Sequence, residues 1–293
     1  MLTAPTPQSP EVATTPDKTT LLTRASNPLS AEPRPFLRWA GSKQRLLSQL
    51  VDYVPPFEGR YFEPFLGAGA LFFLLDQSHA TLSDKIAPLV ETYNVVAQHP
   101  EELLAALEPM DVLDKEYYYR VRGDVPADEV GRAARFIFLN RAGWNGLYRV
   151  NNAGRFNVPY GRPRSGTILD RDNLLACSKL LSTATIEVND FESTVRDASA
   201  GDLVYFDPPY VTGHNNNGFI DYNEDLFAWK DQERLARVAR ELQDEGVHVI
   251  VSNANHAAVH ALYPTFRVAE VSRRSALAST VSQRTTVTEA VFY

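Results

Sequence analysis

The 293-residue chain has a single cysteine, Cys177, and two methionines. One thiol excludes any intrachain disulfide and with it the small disulfide-stapled secreted scaffolds. No apolar run approaches the roughly 20 residues that a membrane-spanning helix needs. Nor does an apolar signal-type segment stand at the N-terminus. The expectation is a soluble cytoplasmic protein with no membrane partner. Clusters of Cys and His at metal-ligand spacing are also missing, so no metal is expected. Acid is missing in one place: no Asp or Glu lies between Val130 and Leu169, although the whole chain carries a formal charge of −7.

What is present fills that gap with positive charge. From Arg132 to Arg164 there are seven arginines interleaved with Phe, Tyr and Trp. A local basic patch on an acidic body can steer a polyanion, although a solvated charged face reads the same way. Hydrophobic residues make up 44% of the chain, enough for a sizeable core. The length fits one large domain or a domain with an insertion. Residues 1–34 are rich in Pro, Thr and Ser without periodicity, and are expected to stay outside the fold as a disordered tail.

A strand rhythm starts at YFEPF (61–65), and a Gly turn and a helix lead to a second strand, ATLSD (80–84). Strand, turn, helix, strand predicts an α/β fold with a parallel sheet. A helix is also expected from Ser42 to Val54, stopped by Pro55-Pro56. From about 100 to 180 the rhythm breaks into helices and then a period-two hairpin, LYRV and RFNV, around Asn151-Asn152-Ala153-Gly154. It resumes at ATIEV, DLVYF, HVIVS, FRVAEV and TEAVFY. The expected organisation is a sheet domain over 35–98 and 182–293, interrupted by a helical insertion over 99–181 that ends in a basic β-hairpin.

Two stretches carry chemistry. In Phe62-Glu63-Pro64-Phe65-Leu66-Gly67-Ala68-Gly69, two glycines let the backbone approach a ligand and turn into a helix. The third glycine of the dinucleotide fingerprint is replaced by Phe72, and no P-loop Lys follows. A bare GxG also fits a tight structural turn. Asp84, at the end of the second strand, is placed to accept both hydroxyls of a ribose. Together these suggest a nucleoside ligand without phosphates. In Asp207-Pro208-Pro209-Tyr210, two prolines lack N–H donors and leave their carbonyls open to an outside donor. With the Asp207 carboxylate and the flat Tyr210 ring they make an acceptor-rich cup, suited to an amino group on a planar heterocycle.

The stretches RWAGSK, FEPFLGAG, LSD, LNRAGWNGLYRVNNAGRFNVPYGR and DPPY, in this order, resemble the Dam-type, alpha-group DNA adenine-N6 methyltransferases. The resemblance covers about residues 36–293. Cytosine-N4 relatives generally carry Ser before Pro-Pro-Tyr, so Asp207 points to adenine. The resemblance implies S-adenosylmethionine as methyl donor, a methyltransferase-type Rossmann sheet, a target-recognition role for 99–181 and double-stranded DNA as partner. A restriction endonuclease partner is compatible with it. Trp39, Ala40, Gly41 and Lys43 match the N-terminal cofactor motif. Phe65, Gly67, Ala68 and Gly69 match the main cofactor loop, and Asp84 the ribose acid. Asp190-Phe191 matches the segment beside the cofactor adenine. Asp207, Pro208 and Tyr210 match the catalytic motif, with Asp207 also near the methionine amino group.

Among the arginine-rich residues, Arg149 matches a reader of guanine in the major groove and Trp144, followed by Asn145, a wedge in the base stack. Asn151 and Arg162 match phosphate contacts, and Arg38 a reader of a recognition-site base. Arg132 and Arg135 lie on a helix, where they solvate it or pair with nearby acids. Ile86 departs from the family's Asn, and VTGHNNNGFIDY (211–222) departs from its usual Ser/Thr-rich segment; the latter is expected to be a mobile loop over the target base. The expected reaction is one-step transfer to a flipped-out adenine. The alternatives are a catalytically idle, sequence-specific DNA-binding protein on the same scaffold and, more distantly, an NAD-type oxidoreductase.

Overall fold

Short runs of β-branched and aromatic residues, bounded by Gly, Pro and Asp, form the strands in a computed structural model that describes residues 15–26, 32–210, 227–274 and 286–293. They are β1 (Tyr61–Glu63), β2 (Thr81–Asp84), β3 (Thr185–Val188), β4 (Leu203–Phe206), β5 (His248–Ala254), β6 (Val268–Arg274) and β7 (Thr286–Phe292). One seven-stranded sheet results, in the order β3-β2-β1-β4-β5-β7-β6. The first five strands of that order are parallel; β7 runs antiparallel between β5 and β6. This mixed α/β sheet is consistent with a methyltransferase fold.

Helices cover both faces: α1 (Lys18–Ser26), α2 (Leu47–Leu50), α3 (Ala70–Leu75), α4 (Ala87–Gln98), α5 (Pro100–Leu107), α6 (Lys115–Gly123), α7 (Glu129–Ala142), α8 (Arg171–Leu181), α9 (Phe191–Thr194), α10 (Trp229–Asp244) and α11 (Ala257–His260). Alternation along β4 shows why its sequence reads as an unbroken apolar run. Leu203 and Tyr205 join the core that contains α3, α4, α7 and α8, while Val204 and Phe206 join the core under α10. A strand buried on both faces has no polar side to display.

Three local expectations need correction. Residues 18–26 of the expected tail form α1, because Leu21 is buried in the main core and Arg24 pairs with Glu32 and Asp76. The expected helix from Ser42 breaks into the 3-10 turn Lys43–Arg45, α2 and a second 3-10 turn, Val51–Tyr53. This arrangement turns Lys43 inward, where it is only 3% exposed. The hairpin ladder reduces to isolated bridges, Val150 with Phe156 and Gly143 with Tyr160. Arg149, Asn151 and Arg155 are exposed there, and a lone two-stranded hairpin is marginal in water.

The segment 99–181 elaborates the crossover from β2 to β3. Ala133, Phe136 and Ile137 of α7 and Leu174, Cys177 and Leu181 of α8 share one core with Leu71, Leu82 and Leu89. Only Val112, Tyr118, Phe138, Leu139 and Ala142 form a small cluster of their own. Among the described residues, no helix is long and apolar enough to cross a membrane, and no three His, Cys, Asp or Glu side chains are grouped to hold a metal ion.

Candidate active site

From β1 the sheet order runs outward in both directions, so the connections leaving β1 and β4 diverge at their carboxyl ends. Such a switch point opens a crevice. The glycine turn leaves β1 there and Asp207-Pro208-Pro209-Tyr210 leaves β4.

Gly67 (φ +47°) and Gly69 (φ +62°) both take left-handed conformations, which a residue with a Cβ adopts at a cost. The Gly67 N–H donates to Asp84 Oδ2 at 3.1 Å, and the Ile86 N–H donates to Asp84 Oδ1 at 3.0 Å. At the position of the family's Asn, the Ile86 backbone thus makes a polar contact. Burial raises the Asp84 pKa, against the lowering effect of these N–H groups. A Cβ on Gly67 would stand 2.8 Å from Cδ1 of Trp39, so the bare glycine is what lets the indole lie across the turn. On the opposite side Phe65 stacks on Phe191 with ring centroids 5.5 Å apart. The Arg234 guanidinium lies 4.2 Å from the Phe191 centroid and also bonds the Asp190 carboxylate, which caps α9.

The Asp-Pro-Pro-Tyr stretch is tied down at three points. Lys43 Nζ donates to Asp207 Oδ1 at 2.5 Å and to the Gly41 carbonyl at 3.0 Å. Gln232 donates to the Pro209 carbonyl at 3.3 Å, and the Tyr210 hydroxyl donates to Glu289 Oε2 at 2.5 Å. No described residue donates to the Pro208 carbonyl. Below them Glu63 is buried, its Oε2 accepting from Tyr61 OH at 2.7 Å and from the Phe72 N–H at 3.1 Å. Burial pushes the Glu63 carboxyl up to about 8, against the Tyr61 hydrogen bond and with help from the Asp207 charge.

These pieces enclose one cleft of about 450 Å³. Every residue expected to hold a cofactor lines it: Trp39, Ala40, Gly41, Lys43, Phe65, Gly67, Ala68, Gly69, Asp84, Phe191 and Asp207. Pro208 and Tyr210 line it as well, and so does Arg149 from the basic stretch. Arg38, Trp144, Asn145, Asn151 and Arg162 lie outside it. Residues 211–222, the expected loop over the target base, fall outside the described residues.

The seven arginines divide by location. Arg132 pairs with Glu91, Arg135 donates to the carbonyls of Val121 and Arg122 at the end of α6, and Arg141 donates to the Thr167 carbonyl. These three hold the scaffold. Arg149, Arg155, Arg162 and Arg164 are exposed. Arg149 is steadied by Asn157 Oδ1 at 2.7 Å. Trp144 is 53% exposed, beside Asn145 in a left-handed conformation (φ +55°). The Asn151 amide oxygen caps its own turn, accepting from the N–H groups of Ala153 and Arg155. Arg162 also has a positive φ, +52°.

Several residues that sequence reasoning passed over complete the site. Buried Asn140 accepts from the Arg38 N–H at 2.9 Å and donates to the carbonyls of Arg38 (2.6 Å) and Gly146 (3.2 Å). It thereby joins the strip before Trp39 to the turn after Trp144. Glu63 and Glu289 are the others. All three are polar residues inside apolar runs, which is the signal that could have found them.

Comparison with known proteins agrees with the geometry. Residues 39–277 match the D12 class N6 adenine-specific DNA methyltransferase family. The chain belongs to that family. It is thus an adenine-N6 DNA methyltransferase acting on DNA. It is 36% identical to the type II methyltransferase M1.LlaDCHI of Lactococcus lactis subsp. cremoris, over 88% of this chain and 94% of that protein. It is 38% identical to the type II methyltransferase M.MjaIII of Methanocaldococcus jannaschii, over 82% and 91% respectively. It is also 31% identical to the DNA adenine methylase of Escherichia coli (strain K12), over 87% and 93%.

Proposed function

We propose that this D12-class enzyme takes its methyl group from S-adenosylmethionine and delivers it to a specific adenine flipped out of duplex DNA. The single observation that carries this reading is the convergence of the glycine turn, Asp84 and Asp207–Tyr210 on one cleft. The lining fits the donor. Asp84 has the chemistry for ribose hydroxyls, the Phe65–Phe191 pair offers a flat apolar wall for a purine, and about 450 Å³ lies within the usual range for small-molecule sites. When bound, the donor supplies an electrophilic methyl group on a sulfonium.

The chain's own residues do the rest. The amino group of adenine is a poor nucleophile because its lone pair is delocalised into the ring. The Asp207 carboxylate and the Pro208 carbonyl accept its two hydrogens and favour tetrahedral nitrogen. The Asp207 charge stabilises the positive charge that develops there and takes up the departing proton. Positioning and preorganised electrostatics account for the acceleration. Flipping costs a few kcal/mol, and stacking on Tyr210 returns about 1–3 kcal/mol.

The exposed part of the basic stretch is the DNA-reading surface, with Arg149 and Arg38 as base readers and Trp144 and Asn145 at the stack. Asn151 and Arg162 sit against the backbone, which positions the protein without specifying sequence. Likeness to relatives named type II methyltransferases supports a restriction endonuclease partner, and a DNA substrate fits an enzyme of the cytoplasm. The assembled cleft and the family disfavour an idle DNA-binding protein.

The test is to incubate the protein with methyl-labelled S-adenosylmethionine and duplex DNA, then digest and separate the nucleosides. Label in N6-methyladenine is expected. Label in a methylated cytosine, or none in DNA, would overturn the reading.

A further inference from the structure

We infer that Glu289, on the antiparallel strand β7, is a positioning residue for methyl transfer. It holds the edge of the Tyr210 ring and takes a share of the Lys43 charge that would otherwise fall more fully on Asp207. The inference rests on the reading of Asp207 as acceptor for the target amino group.

Glu289 is only 1% exposed, and a buried carboxylate must be paired or hydrogen-bonded. Two of its partners come from stretches far apart in sequence, and both face the cleft. The Tyr210 hydroxyl donates to Glu289 Oε2 at 2.5 Å, and Lys43 Nζ stands 3.6 Å from the same oxygen. The sheet register explains how a residue near the C-terminus reaches them. Glu289 pairs with Ala254, the last residue of β5, so it stands on the rim where Asp207 follows β4.

The geometry makes one lysine serve two carboxylates, Asp207 at 2.5 Å and Glu289 at 3.6 Å. Lys43 also lies 4.9 Å from the Tyr210 ring centroid. Tyr210 is therefore held at its edge by Glu289, with the lysine against its ring. A carboxylate that only filled the core would have no reason to meet both groups. Neutralising Glu289 leaves Asp207 as the nearest counter-charge of Lys43. The lysine then binds Asp207 more tightly, and the carboxylate becomes a weaker acceptor for the amino hydrogens. This loss falls mainly on the chemical step, because the glycine turn, Asp84 and the exposed arginines make no contact with Glu289.

Glu289→Gln in the full chain separates the alternatives, since the amide oxygen still accepts from Tyr210 while the charge is gone. Single-turnover methylation at saturating S-adenosylmethionine is expected to slow about tenfold, with the Kd for duplex DNA changed by less than about twofold. A wild-type rate overturns the inference. So does a rate loss fully explained by a smaller folded fraction in a melting curve. If Glu289→Gln does not accumulate as folded protein, Tyr210→Phe tests the same contact from the other side. It should lower kcat and leave the cofactor Kd unchanged, and a normal kcat would overturn the inference. Asp207→Ala run in parallel tells the two readings apart. An active Asp207→Ala removes the reading of the site itself. An inactive Asp207→Ala beside a normal Glu289→Gln removes only the role given to Glu289.

Discussion

The cleft and the basic stretch after α7 are built on opposite terms. In the cleft, Asp84, Glu63, Asp207 and Tyr210 each have named partners, and the backbone carries them at the ends of adjacent parallel strands. In the basic stretch the root is fixed by Asn140, by Tyr118 donating to the Val158 carbonyl and by Tyr160 donating to the Leu113 carbonyl, and the arms by Tyr148 against Trp39 and Phe136. Its tip is exposed and held by one bridge and its own turn. Chemistry needs positions held to fractions of an ångström before the substrate arrives. A surface that follows a nucleic acid can leave its outer side chains to be ordered by the partner.

This contrast predicts large effects in the cleft and small ones at the loop tip. The largest concerns Glu63. Its folded-state pKa of about 8 lies above the ordinary 4.5, so the fold favours the protonated acid. That contribution to stability is complete at low pH, declines as pH rises above 4.5, and is lost as pH passes 8. The loss across this window is on the order of 5 kcal/mol at one pKa unit per 1.36 kcal/mol. Glu63→Gln should lack this slope and exceed the wild type in stability at pH 8. Denaturant unfolding at a series of pH values checks it, and equal slopes for the two proteins would refute it.

Gly67→Ala comes next. The new Cβ meets Trp39, and a positive φ costs a residue with a side chain about 1–2 kcal/mol. Calorimetric titration with S-adenosylmethionine should show a Kd raised about tenfold; an unchanged Kd would show that the turn does not touch the cofactor.

On the loop, Arg149→Ala should cost about 1–3 kcal/mol and relax choice at one base pair. Methylation-sensitive sequencing of DNA from cells expressing the variant reads this directly, and an unaltered site preference would remove Arg149 as a reader. Smallest is Arg162→Ala, which should weaken duplex binding evenly across sequences and reduce the salt slope by about 1. A change confined to one sequence would make Arg162 a reader instead.

The same contrast explains what could be read in advance. The strands of the sheet were legible because apolar runs such as DLVYF and HVIVS, set off by turn residues, leave few other options. The cofactor and catalytic positions were legible as separate motifs, and their meeting in one cleft follows from the switch point between β1 and β4. Glu289 was not, because its contact with Tyr210 spans 79 residues and depends on the register of β7 against β5. The hairpin turn at Asn151–Gly154 was legible, with its antiparallel bonds between Asn151 and Arg155 and between Asn157 and Arg149; the length of the ladder was not. Period-two alternation in LYRV and RFNV predicts strands; Tyr148 and Phe156 do pack inward, but without a third strand the pairing stops at isolated bridges. The helix at Lys18–Ser26 escaped because Pro- and Thr-rich surroundings masked a single buried Leu21.

In the proposed mechanism Asp207 acts on the amino group, whereas recognition of the duplex rests on the exposed basic loop. Transfer of labelled methyl to duplex DNA by Asp207→Ala, measured beside its DNA affinity, tests this division most directly. Methylation at background level with duplex binding within about threefold of the wild type is expected. Near-normal turnover by Asp207→Ala would contradict it.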